Sequence, residues 1–186
     1  MVFYEGGGKW QEACARGTVF TGFTAAAGVQ IPQYTATTQN FVLNNPVGSN
    51  RAAILKSWIG GSVAASWIVE GCAMLVGSNY AAAGVAAPTS SATLSIVNTE
   101  TSSIGGSVMS LFGVGTTVVA ATWYRPTGPS VMSTTTGNTP FFMGEDIDGS
   151  IILKPGCWIG IAANVATFGT SILSITWAEV PAGVVN

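Results

Sequence analysis

The chain has 186 residues, a length that suits one domain with an added arm. Only 8% of its residues are charged, against about 25% in ordinary soluble domains. The net charge is −2 and histidine is absent, which excludes nucleic-acid binding through a basic patch and every histidine-dependent acid–base or nucleophile device. Hydrophobic residues make up 48%, and a charge-poor, near-neutral surface favours self-association. That combination points to an assembly protein.

The N-terminal run MVFYEGGGKWQEACARG lacks a basic start followed by an apolar core, so no signal peptide is expected. The glycines before Lys9 lack the P-loop spacing and the Ser or Thr after the lysine. A short helix is expected near 9–15, and it is the one helical piece in view. The Gly- and Thr-rich stretch 1–39, with a strand near 18–23, reads as an N-terminal arm. Residues 40–186 read as the folded domain.

Further strands are expected near 40–44, 51–59, 66–76, 92–97, 107–112, 116–124, 130–134, 151–153, 157–164 and 172–179. SWIVEGCAMLV (66–76) is apolar on both faces: Trp67, Val69, Ala73 and Leu75 on one, Ile68, Cys72, Met74 and Val76 on the other, interrupted by Glu70. Residues 71–99 and 101–124 carry no charge. Ser, Thr, Asn, Pro and Gly break both, so neither forms the run of about 20 apolar residues a membrane helix needs. In ATLSIV (92–97), Leu94 and Ile96 point in while Thr93 and Ser95 point out.

RPTGP (125–129) and GEDIDGS (144–150) read as turns. The second gathers Glu145, Asp146 and Asp148, but the glutamate that a calcium loop places twelve positions from its start is missing. Glu70, Glu100 and Glu179 lie elsewhere, so paired-carboxylate hydrolysis has no evident geometry. GGSVAAS (60–66) and GGSVMS (105–110) do not match a nucleophile elbow.

KPGCWIGIAANVA (154–166) turns at Pro155-Gly156 and then alternates. Cys157, Ile159, Ile161 and Ala163 share one face; Trp158, Gly160, Ala162 and Asn164 share the other. ILSITWAE (172–179) places Leu173, Ile175 and Trp177 in the core. Some eight to ten short strands separated by turn chemistry describe an all-β chain, an antiparallel sandwich or barrel. Cys14, Cys72 and Cys157 are too widely spaced for a disulfide framework or a zinc site.

Six tryptophans remain to be placed, and core packing is the default for each. Trp158 falls opposite the core face of its strand, so it heads a subunit-interface set that includes Trp58 and Trp10. Replacing Trp158 is then expected to weaken assembly and spare the fold. No catalytic, cofactor-binding or metal-binding residue is assigned.

FVLNNPVGSNRAAILKSWIGG (41–61) and LKPGCWIGIAANVATFGTSILSITWAEVP (153–181) together resemble small all-β structural proteins of tailed bacteriophages that carry a jelly-roll domain. The second stretch is also similar, more loosely, to the closing strand of trimeric TNF/C1q-like jelly rolls. The resemblance spans between a quarter and a third of the chain, and its motifs are structural. It implies a jelly-roll β-sandwich and a non-enzymatic virion component without cofactor. The implied role is a capsid decoration or cement protein, made in the host cytoplasm and seated as a homotrimer on the outer head surface. Its implied partners are other copies of itself and the major capsid protein, with no nucleic acid and no membrane. Three alternatives stay open: a tail, fibre or spike component binding a host glycan; a jelly-roll glycan hydrolase; and a cellular TNF/C1q-like ligand domain.

Overall fold

Strands whose apolar residues alternate must bury one face, and a second sheet is the usual cover. In the computed structural model of the protein, which describes residues 10–63, 71–100, 106–131, 142–166 and 169–185, two antiparallel sheets meet in this way. A short helix, α1 (Gln11–Ala15), precedes β1 (Val19–Phe23), β2 (Val29–Gln30), β3 (Thr38–Gln39), β4 (Val42–Asn45), β5 (Arg51–Ser62) and β6 (Gly71–Asn79). Then come β7 (Ser95–Asn98), β8 (Ser110–Phe112), β9 (Thr116–Thr117), β10 (Trp123–Val131), β11 (Phe142–Asp146), β12 (Ile152–Leu153), β13 (Cys157–Ala163) and β14 (Thr170–Pro181). The first sheet has the order β11-β5-β14-β1-β7, with β12 added on β5 and β2 on β14. The second has the order β10-β6-β13-β4-β8, and β3 pairs with β9 in a small third sheet.

The core between the sheets is what alternation requires. Leu173, Ile175 and Trp177 of β14, with Leu55 and Trp58 of β5, face Leu75 of β6 and Ile159, Ile161 and Ala163 of β13. Phe20 of β1 stacks on Trp177 at 6.1 Å. The β4–β5 turn is fastened by Asn45, whose Nδ2 donates to the carbonyls of Arg51 (2.8 Å) and Leu153 (2.9 Å). Ser49 Oγ donates back to Asn45 Oδ1 at 2.6 Å. Gly156 has φ +80°, and a Cβ there would lie 2.4 Å from that of Ala81, so the Lys-Pro-Gly turn before β13 requires glycine.

The opposite face of the second sheet is also dry. Trp158 and Ala162 of β13, Met74 and Val76 of β6 and Val42 of β4 form a separate cluster with Tyr80 and Val118, flanked by Tyr34, Val119 and Ala121. The segment between β9 and β10, with Tyr34 and Tyr80, folds over this face. It is anchored there by Val118 N to Thr37 O (2.8 Å) and Thr122 N to Gly77 O (3.0 Å). Trp158 points away from the inter-sheet core, as its parity demands, yet it is only 1% exposed. Alternation fixes the face a side chain takes; it does not say what lies above that face.

Four other expectations change. Residues 19–39 are not a separate arm: β1 lies between β14 and β7, and Val19, Phe20, Val29 and Ile31 are buried. RPTGP is not a turn but the middle of β10, with its register broken between Pro126 and Ser130. β10 is an edge strand, where a residue without an N–H is tolerated. GEDIDGS is a strand end and then a turn: β11 runs through Asp146, and the chain reverses at Asp148 (φ 50°) and Gly149 (φ 84°). The strand expected near 116–124 is split into β9 and the start of β10, and the residues between them cover Trp158. Residues 66–70, Trp67 among them, and 132–134 lie outside the described residues.

Trp158→Ala should therefore destabilise the single chain by about 3–5 kcal/mol, as loss of a fully buried aromatic does. Equilibrium denaturant unfolding measures it. A change below about 1 kcal/mol would mean that the ring is not packed as described.

Candidate assembly surface

Three of the four sheet faces are covered by the chain itself; no described residue covers the outer face of the first sheet. The register places Ile59 between Ser174 and Gly144, with Phe23 beyond Ser174. One row further, Gly61 lies between Ile172 and Phe142. Phe142 is 76% exposed, Ile59 57%, Ile172 42% and Phe23 37%. Their polar neighbours on this face are neutral. Thr21 and Thr176 share a hydrogen bond between hydroxyls at 3.0 Å, and Ser57 and Ser174 continue their rows. Asp146, at the rim on β11, is the one charge in these registered rows. Covering such a face removes apolar surface from water without stripping solvent from an array of ions.

The rim strand β11 is held from below. Glu145 is paired with Trp58 in the register and faces inward, while Asp146 next to it faces out. Arg125 Nη2 donates to Glu145 Oε1 at 2.6 Å, and Thr127 Oγ1 donates to Glu145 Oε2. Trp58 Nε1 donates to Thr127 Oγ1 at 2.9 Å. Arg125 and Thr127 belong to β10, the edge of the other sheet, so this chain of hydrogen bonds clasps the two sheets along one side.

The three acids of GEDIDGS are thereby sent in different directions. Glu145 serves the clasp, Asp146 meets solvent, and Asp148 Oδ1 accepts from Trp10 Nε1 at 3.3 Å. Among the described residues, no three His, Cys, Asp or Glu side chains converge as metal ligands would. Among the described residues the buried Glu179 has no cation either; it accepts from Trp177 Nε1 (3.2 Å), Val108 N (3.3 Å) and the Ser107 hydroxyl.

The structure does not bring Trp158, Trp58 and Trp10 onto one surface. Trp58 is buried between the sheets and Trp158 beneath the covering segment, so neither offers its ring to a partner. Trp10 is half-buried beside the β11–β12 turn. The residues that are exposed, Ile59, Ile172 and Phe142, carried a weaker signal. Ile59 and Ile172 sit one position from core residues Trp58 and Leu173, on the side where a solvated sheet would place polar groups.

Cys157 and Tyr80 lie close to each other at the start of β13, and burial raises both the thiol and the phenol above their usual values. The backbone of Lys154 and its charge partly offset the rise at Cys157. No protein-family model, curated protein or solved structure matches the chain.

Thr127→Val would leave Trp58 Nε1 without its acceptor inside the core and should cost about 1–3 kcal/mol in denaturant unfolding. A second outcome concerns alkaline pH. From about pH 9 upward the unfolded cysteine ionises before the folded one, and the unfolded phenol does so from about pH 10. The unfolded chain then binds fewer protons, so stability falls as pH rises through this window and is flat below it as far as these groups contribute. Cys157→Ala should make that decline shallower between pH 9 and 10, measured as Tm against pH; an unchanged slope would place the thiol in water.

Proposed function

We propose that the protein is a non-enzymatic virion structural protein, a decoration or cement protein of a phage head. It binds the outer capsid surface as a homotrimer and bridges neighbouring major capsid proteins. The single observation that carries this reading is the neutral apolar face centred on Ile59 and Phe142, which no described segment of the chain covers. A monomer rarely leaves such a patch exposed without a use for it, and a symmetric oligomer hides the same patch on every copy.

The strand pairing supports a jelly-roll wind. β1 pairs with β14, β4 with β13, β5 with β11 and β6 with β10, all antiparallel, while successive long strands cross between the two sheets. The first half of the chain thus pairs with the second half in reverse order, as a long hairpin does when it is wrapped into two Greek keys. The phage-like stretches also fall together in space. Residues 41–61 supply β4 and β5, 153–181 supply β13 and β14, and these pair β4 to β13 and β5 to β14 at the centre of each sheet.

On this reading Ile59→Glu or Phe142→Glu changes stability by no more than about 0.5 kcal/mol, as surface substitutions do. Either should lower the mass in light scattering from an oligomer to the 18.9 kDa chain. Electron microscopy of heads incubated with the wild-type protein should show added density on the outer shell. A wild-type protein that stays at 18.9 kDa and binds no head would overturn the proposal.

A further inference from the structure

At the end of the sandwich where β10, β12 and β13 begin, the two sheets part and leave a cleft of about 400 Å³. That volume lies within the range of small-molecule sites, about 300–1,000 Å³. The β11–β12 connection contributes Ser150, sheet one Ile152 and Leu153, and sheet two Asn79, Cys157 and Trp123. None of the lining side chains is charged.

Trp123 is the feature that gives the cleft a direction. It is paired with Gly77 in the register, so its ring leans into space that a side chain would otherwise fill. A Cβ on Gly77 would lie 2.6 Å from the carbonyl oxygen of Trp158 and 3.7 Å from the Trp123 ring. Glycine is thus required for the strands to approach, and the indole rests against the bare backbone. The ring remains 38% exposed. Around it are neutral hydrogen-bonding groups. Thr122 Oγ1 lies 3.2 Å from Ser78 Oγ, and Asn79 Oδ1 accepts from Ala82 N at 2.9 Å. That leaves the Asn79 amide N–H groups and the Ser150 hydroxyl unengaged among the described residues.

We infer that the cleft beside Trp123 is a binding site for a neutral sugar, one pyranose unit of an uncharged glycan. A pyranose has an apolar C–H face that suits an exposed indole and a rim of hydroxyls that suits the Asn79 amide and the Ser150 hydroxyl. Phosphorylated, sulfated or sialylated ligands would find no cation on the lining. A purely apolar ligand would strand the amide and the hydroxyls without partners. None of Phe23, Ile59, Ile172 and Phe142 lines the cleft, and the site does not depend on the decoration reading.

The test is an array carrying neutral gluco-, galacto- and manno-oligosaccharides beside sialylated and sulfated ones. The full chain is then titrated with the neutral oligosaccharide that gives the strongest signal, followed by tryptophan fluorescence. Trp123→Ala should weaken binding at least tenfold and Trp123→Phe should recover most of it, with the oligomeric mass of both variants and the fold of Trp123→Phe unchanged. Asn79→Ala should weaken binding severalfold. Bound sugar should also slow alkylation of Cys157, read by peptide mass spectrometry. The inference is overturned by binding confined to anionic glycans, by no binding at millimolar neutral sugar, or by Trp123→Ala binding as tightly as the wild type.

Discussion

A two-sheet sandwich has four faces, and the contact between its sheets hides only two of them. This chain is apolar on all four, because few charged residues are available to wet an outer face. It resolves one of the remaining two by laying the segment between β9 and β10, with Tyr34 and Tyr80, as a lid over Trp158, Met74 and Val76. No described segment does the same for Phe23, Ile59, Ile172 and Phe142. The asymmetry between a lidded sheet and a bare one is the constraint from which the reading as an assembly component follows.

Scarcity of charge shapes the interior as well. Several buried polar groups are tied by neutral or singly ionised partners. Asn45 fastens a turn to two carbonyls, Glu179 collects three donors, and Thr127 passes a hydrogen bond from Trp58 to Glu145. The clasp from Arg125 to Trp58 also explains why an edge strand broken by prolines stays in place: its side chains reach the opposite sheet. Firm edges matter to an assembly face, since the rim strand β11 carries both the clasp and Phe142.

Much of the fold was legible because strand periodicity is local. The two faces of β13, the inward set Leu173, Ile175 and Trp177, and the split of Ala73 and Leu75 from Cys72, Met74 and Val76 all follow from counting by two. The errors came from signals whose meaning depends on position in a sheet. Prolines mark a turn in a central strand but are harmless in the edge strand β10. Acids beside a glycine read as a loop, although Glu145 is an inward strand residue with a waiting arginine. Gly and Thr richness suggested an arm at 1–39, although β1 sits well inside the first sheet.

The amino-acid sequence by itself determined an all-β chain, the face each strand residue takes, and a deficit of charge that leaves some apolar sheet in need of cover. Those properties reside in neighbouring residues and in composition. Which apolar face is lidded and which is bare was decided only in three dimensions. So was the displacement of the candidate surface from Trp158 to Ile59 and Phe142, and the opening of a cleft beside Trp123. Each depends on segments far apart in the chain meeting across a sheet, and alternation within a strand carries no record of what packs above it.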